Sequence, residues 1–216
     1  MSKHRVNIGC GMTPTQGWLN FDNSLSVRLA ACPVLVRLLG LMRLLGDEQR
    51  GYISFCRKHD IAWSDATRHV PLKDASAEVV YSSHVLEHLD RNGAKAFLCE
   101  IRRLLVPGGR VRIAVPDLQI MIDDYNSHGD ADRLIADTLL AQPQARSWGA
   151  RIKAMIIGPR HHLWMYDGKS LANLLSRSGF DDVRIMASGE TGIANPGELD
   201  LNERAAESVY VEAVRP

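Results

Sequence analysis

The chain has 216 residues, 45% hydrophobic and 24% charged, ordinary values for a globular protein with core enough for one α/β domain. Its 26 basic and 25 acidic residues nearly cancel, and a net charge of +1 gives no reason to expect a broad electrostatic surface for nucleic acid. The four cysteines, Cys10, Cys32, Cys56 and Cys99, form no CxxC pair, which argues against a cysteine zinc site or a disulfide framework and for a reducing, cytoplasmic location.

Val6 and Ile8, β-branched and two apart, predict a strand from Arg5 that ends in Gly9-Cys10-Gly11. A strand starting so early leaves no room for a signal peptide before it. Glycines directly after a strand permit positive φ and let a ligand approach bare backbone. Such a turn suits an open α/β sheet with its ligand at the carboxyl ends of the strands, although a lone glycine pair also marks an ordinary tight turn. Trp18–Asp22 reads as the second strand. The connection before it is too short for a full helix, and Pro14 stands where a dinucleotide fold has its third glycine. NAD and FAD are therefore disfavoured, and a ligand without phosphates is permitted. Asp22 is the only carboxylate in the first 46 residues. It is either an acceptor for ribose hydroxyls or a turn residue before a helix start at Ser24.

Ser26 to Gly46 is strongly apolar but broken by Pro33 and interrupted by Arg28, Arg37 and Arg43. A membrane span needs roughly 20 apolar residues without such charges. The arginines share no helical face, so a regular amphipathic anchor also fits poorly. A pair of helices is expected, either a plain cover for the sheet edge or a lid over a greasy substrate, with peripheral membrane contact as a further use. Gly46–His59 reads as a polar connection. Ile61–Ala66 is the third predicted strand and contains Asp65.

Ala77–Ser83 predicts a fourth, buried strand running directly into a short helix at His84–Leu89. Phe97, Ile101, Leu104 and Leu105 line the inner side of a helix over Gly93–Leu105, stopped by Pro107-Gly108-Gly109. Arg110–Val115 alternates as the fifth strand. Two helices follow between Leu118 and Leu140, split at Asn126–Gly129, and Gln142–Gly158 is poorly defined. Asp167 is expected to cap a helix over Lys169–Arg177. Val183–Ala187 and Ser208–Val214 are the sixth and seventh strands, joined by a long loop at Gly189–Asn202. Asp167-Gly168-Lys169-Ser170 ends like a P-loop, but Leu163 stands where that motif needs glycine.

Several stretches together resemble a class I S-adenosylmethionine-dependent methyltransferase of the small type 11 family. They are Val6-Asn7-Ile8-Gly9-Cys10-Gly11, Asp22, Asp65-Ala66, Tyr81-Ser82-Ser83-His84-Val85-Leu86-Glu87-His88-Leu89, and Leu105-Val106-Pro107-Gly108-Gly109-Arg110. The resemblance implies a Rossmann-like, mostly parallel seven-stranded sheet of order 3-2-1-4-5-7-6, with the last strand antiparallel and helices on both faces. The chain would be a single methyltransferase domain over 1–216. A helical insertion or lid would lie at about 24–58, and a variable substrate-side segment at about 118–166. S-adenosylmethionine would be the cofactor. Gly9, Cys10 and Gly11 would pass close to its amino-acid end and ribose, Asp22 would take the ribose hydroxyls, and Asp65 with the Ala66 N–H would read adenine. Ser82 and Ser83 would lie beside the methionine portion, or Ser83 would cap the following helix. Asn7 stands where the family often has an acid and would bind the donor's ammonium only through its carbonyl.

Methyl transfer depends on positioning, and a hydroxyl acceptor also profits from a general base. His84, at the end of the fourth strand, is the first candidate and His162 the second; His88 reads as a packing histidine. His161 and His162 point apart and no third ligand is evident, so no metal is expected. The resemblance implies transfer to a small-molecule, sugar, glycan or lipid-like acceptor, preferably at oxygen. Protein or RNA methylation and a non-catalytic binding subunit are the competing readings.

Overall fold

The computed structural model describes residues 3–42, 44–140 and 161–216. The strands are β1 (His4–Ile8), β2 (Leu19–Asp22), β3 (Ala62–Trp63), β4 (Ala77–Ser83), β5 (Leu105–Pro116), β6 (Asp181–Met186) and β7 (Ser208–Val214). They form one seven-stranded sheet of order β3-β2-β1-β4-β5-β7-β6. β1 to β5 pair in parallel, while β7 runs antiparallel to both β5 and β6. β4 and β5 lie at the centre and are buried almost throughout, although β5 alternates in sequence because Arg112 is buried with Glu212. β6 is the edge, and Asp181, Asp182 and Arg184 keep it charged and exposed.

The main core lies on one face. Val80, Val111, Ile113 and Val211 of the sheet meet Phe97, Leu98, Ile101 and Leu104 of α4 (Arg91–Leu104). The last helix, α7 (Gly168–Arg177), adds Leu171, Leu174 and Leu175 to it. Asp90 caps α4 through the Gly93 N–H, and Asp167 forms a reciprocal capping box with Ser170 on α7. Val79 and Tyr81 point to the other face, as alternation along β4 requires. There they pack against Ile193 and Leu199 of the β6–β7 loop, so a loop rather than a helix covers the centre of that face. A fully buried pair, Arg112 on β5 and Glu212 on β7, 2.9 Å apart, pins this loop. Arg112 donates to the carbonyls of Glu190 and Leu201, and Glu212 accepts from Thr191 Oγ1 and the Gly192 N–H.

Three helices follow β2: α1 (Leu25–Ala30), α2 (Pro33–Leu41) and α3 (Asp47–Lys58). By sequence Gly46–His59 reads as a polar connection. It is a helix because Asp47 and Glu48 sit in the first turn, Arg57 and Lys58 in the last, and Ile53 and Cys56 share the buried face. Val27, Leu29, Leu45, Ile53, Cys56 and Ile61 form a second, small core that includes Cys10. After β5 come α5 (Leu118–His128), ended by Gly129 in the left-handed region, and α6 (Ala131–Asp137). Residues 141–160 of the segment 118–166 lie outside the described residues, as does the reading of Gln142–Gly158. Among the described residues no helix is long and apolar enough to cross a membrane.

Candidate active site

The carboxyl ends of β1, β2 and β4 converge on the glycine turn. Gly9 and Gly11 both have positive φ, +74° and +49°. A Cβ on Gly9 would come 2.1 Å from Val85 Cγ2, so this glycine lets the turn pack against the segment after β4. A Cβ on Gly11 would meet nothing within 4 Å: the backbone there faces open space. Asn7 is buried, and its amide nitrogen donates to Thr13 O at 3.2 Å and Thr15 Oγ1 at 3.1 Å. It ties down the far side of the turn. Cys10 is buried, and burial followed by the nearby Asp22 pushes its thiol up to about 12, so it is an inert packing group.

Asp22 bridges two neighbours. Its Oδ2 accepts from the Gly11 N–H at 3.1 Å and its Oδ1 from the Ser24 N–H at 2.8 Å. The carboxylate is thereby fixed beside the glycine backbone, with lone pairs left over for another donor. Asp65 follows β3. Its Oδ1 accepts from the Thr67 N–H and hydroxyl, and its Oδ2 lies 3.4 Å from Arg68 Nε. Ala66, next to it, is buried in the main core.

At the end of β4, Ser82 and Ser83 are buried, and Ser83 caps no helix: the cap residue of the short 3-10 helix Leu86–His88 is Val85. His84 adopts φ +52°, a left-handed conformation that turns the chain sharply between strand and helix. Its Nε2 lies 2.9 Å from Ser208 Oγ and its Nδ1 3.1 Å from Arg204 Nη1. A guanidinium only donates, so Nδ1 accepts and Nε2 carries the proton; the ring is neutral. Nδ1 is also 3.4 Å from Oε1 of Glu87.

His162 is buried and donates from Nδ1 to Thr138 O at 2.8 Å. Burial pushes its basicity below the usual imidazole range, against an opposing pull from Glu87. Its ring meets that of His88 edge-on, with centroids 5.0 Å apart. The fold thus gathers His84, His88 and His162 around Glu87, a residue that sequence reasoning passed over. The signal was present: His84, Glu87 and His88 are spaced i, i+3, i+4.

Two further groups come from the long β6–β7 loop and had no sequence signal. Glu203 accepts from Thr13 Oγ1 at 3.0 Å and from Tyr81 OH at 2.7 Å, and Arg204 reaches His84. A cavity of about 720 Å3 bordered by Met12–Phe21, Phe55, His59, Asp60 and Ala62 opens on the outer side of β2. It adjoins the glycine turn without including Gly9, Gly11 or Asp22.

A family model described as a methyltransferase domain matches residues 44–113, from the region after α2 through most of β5. No curated protein matches the chain by sequence. Two solved S-adenosylmethionine-dependent methyltransferases share its fold. One, from Thermotoga maritima, is 14% identical with a TM-score of 0.52 over 100% of this chain and 83% of its own. The other, from Methanosarcina mazei, is 12% identical with a TM-score of 0.52 over 100% of this chain and 94% of its own. The solved structures carry the fold and the matched segment carries the activity class. By the two together, residues 44–113 match a methyltransferase domain and the chain has the fold of S-adenosylmethionine-dependent methyltransferases.

Proposed function

We propose that the protein transfers a methyl group to a hydroxyl oxygen of a small-molecule, sugar, glycan or lipid-like acceptor. The observation that carries this reading is His84: a neutral imidazole at the carboxyl end of β4, anchored through Nε2 and with its Nδ1 lone pair covered only by Arg204.

The residues around the glycine turn fit the methyl donor. S-adenosylmethionine has no phosphate, and the turn offers no helix N-terminus for one; it offers open backbone at Gly11 instead. Gly9, Cys10 and Gly11 would hold the amino-acid end and ribose, Asp22 the ribose hydroxyls, Asp65 and Ala66 the adenine, and Ser82 and Ser83 the methionine portion. Asn7 supplies no charge for the ammonium. Glu203, held by Thr13 on the same turn, puts a carboxylate close by and is our choice for that role. When bound, the donor supplies a methyl group on a cationic sulfur.

The chain's own part is to place the acceptor and take its proton. The acceptor hydroxyl displaces Arg204 from His84 Nδ1 and donates to it. Nδ1 would take the hydroxyl proton as the acceptor oxygen accepts the methyl group that a bound donor would supply. Ser208 keeps the ring in orientation throughout. We read 24–58 as the cover of the acceptor side. Val34, Leu35, Leu38 and Leu41 of α2 are exposed, and the core beneath them reaches Cys10 of the turn. That apolar surface favours a greasy acceptor.

The test is a labelled methyl donor offered with hydroxyl acceptors of these classes. His84→Gln should lower turnover about a hundredfold while leaving donor affinity by calorimetry unchanged. Undiminished turnover would remove His84 as the base, and a product methylated at nitrogen would overturn the choice of oxygen. Calorimetric binding of NAD in place of S-adenosylmethionine would overturn the donor assignment.

A further inference from the structure

We propose that Glu87, His88 and His162 form a binding site for one divalent first-row transition ion. One ligand atom from each of the three lies within 4.8 Å of the others. Glu87 is 1% exposed, and both of its carboxylate oxygens are buried without a hydrogen-bond partner. A buried carboxylate without partners is costly, and a cation is the direct compensation. The nearest cationic candidates do not supply it. His84 Nδ1, 3.4 Å away, is turned to the Arg204 guanidinium, and His88 Nε2 stands 3.9 Å off.

The two imidazoles are already set as ligands. His88 donates from Nδ1 to His161 O at 3.1 Å, and His162 donates from Nδ1 to Thr138 O at 2.8 Å. Carbonyls only accept, so Nδ1 carries a proton in both rings, and Nε2 is the nitrogen left to bind an ion. A carbonyl on the outer nitrogen is the usual support of a metal-bound histidine. The backbone fixes the two halves to each other: the N–H groups of Leu163 and Trp164 both donate to Glu87 O, at 2.7 and 3.1 Å. His162 N–H donates to Leu139 O at 3.1 Å. Ligand bonds of about 2.1 Å require the three atoms to close in slightly, which rotation of the half-exposed His88 ring allows.

Two imidazoles and one carboxylate suit zinc, cobalt, manganese or iron(II), whereas magnesium and calcium prefer oxygen throughout. Three protein ligands leave positions open. The 3-10 helix lies just beyond β4, and a hydroxyl bound at an open position would become more acidic. That use rests on the methyltransferase reading; ion binding does not.

Metal-free protein is titrated with cobalt(II), with no methyl donor present, and followed by visible absorption and thermal unfolding. One ion per chain is expected, with ligand-field bands and a rise in midpoint of about 5–10 °C at a hundredfold excess over Kd. Glu87→Gln and His162→Gln, each checked for native circular dichroism, should weaken binding at least about a hundredfold. Absence of bands and of stabilisation in the wild type overturns the proposal, as does binding that both variants retain. Should one variant fail to fold, the other decides. Donor calorimetry on the same metal-free sample separates the two readings. Intact donor binding without cobalt binding removes only the ion, and the reverse removes only the donor site.

Discussion

Leu98 and Ile101 of α4 and Leu38 and Leu41 of α2 are side chains of one kind with opposite fates. The first two are 0% exposed; the others are 50% and 75% exposed. The difference lies in pattern, not in hydrophobicity. α4 sets its apolar residues on one face, with Lys95, Arg102 and Arg103 elsewhere, so a single docking buries them all. α2 is apolar nearly all round and buries none of its residues, so most of that surface faces outward. The central half of the molecule is held by burial. The N-terminal cover is held by a small core and by Asp22, which grips Gly11 on one side and Ser24 on the other.

The largest effect expected is on the central half. Leu98→Ala should cost about 2–5 kcal/mol in urea unfolding, while Leu38→Ala should stay within about 0.5 kcal/mol; equal losses would abolish the contrast. Next, Gly9→Ala should cost about 1–3 kcal/mol by the same measurement, from overpacking against Val85 and from its positive φ. Gly11→Ala should cost less, because only the φ is against it. Glu100→Gln tests the centre by acid. Burial alone would raise the Glu100 pKa, but Arg103 and the Val70 N–H outweigh it and hold it below the ordinary 4.5. A carboxyl depressed on folding stabilises above its unfolded value, and that stability is lost as pH falls through the folded one. Wild-type stability should therefore drop below about pH 4.5, and the variant's curve should be flatter there. The smallest effect sharpens the boundary. Asp22→Asn should weaken donor binding about tenfold by calorimetry, and it should speed proteolysis of 24–58; a change in only one of the two would uncouple cover from crevice.

What could be read beforehand follows the same division. Strand order, the Asp167 cap, the α5–α6 break at Gly129 and β7 were legible because each rests on local spacing or on the resemblance. α3 was missed because its apolar positions are few and its polar ones conceal the period, although its terminal charges marked it. Around the site, the glycine turn, Asp22 and His84 announce themselves in sequence. Glu203 and Arg204 do not: they arrive from over a hundred residues away, on a loop fixed by the buried Arg112–Glu212 pair and by Tyr210 OH donating to Glu203 O. Glu87 was overlooked because a glutamate in a short helix looks solvated until its burial is known.

β7 is the last strand along the chain, yet it is laid between β5 and β6. It also holds Ser208, the anchor of His84, and Glu212, the anchor of the loop above the glycine turn. A ribosome-bound chain short of residue 208 would leave two open sheet edges and a histidine without its prop. Until β7 has been made, a nascent chain therefore carries unpaired strand edges open to pairing with other chains.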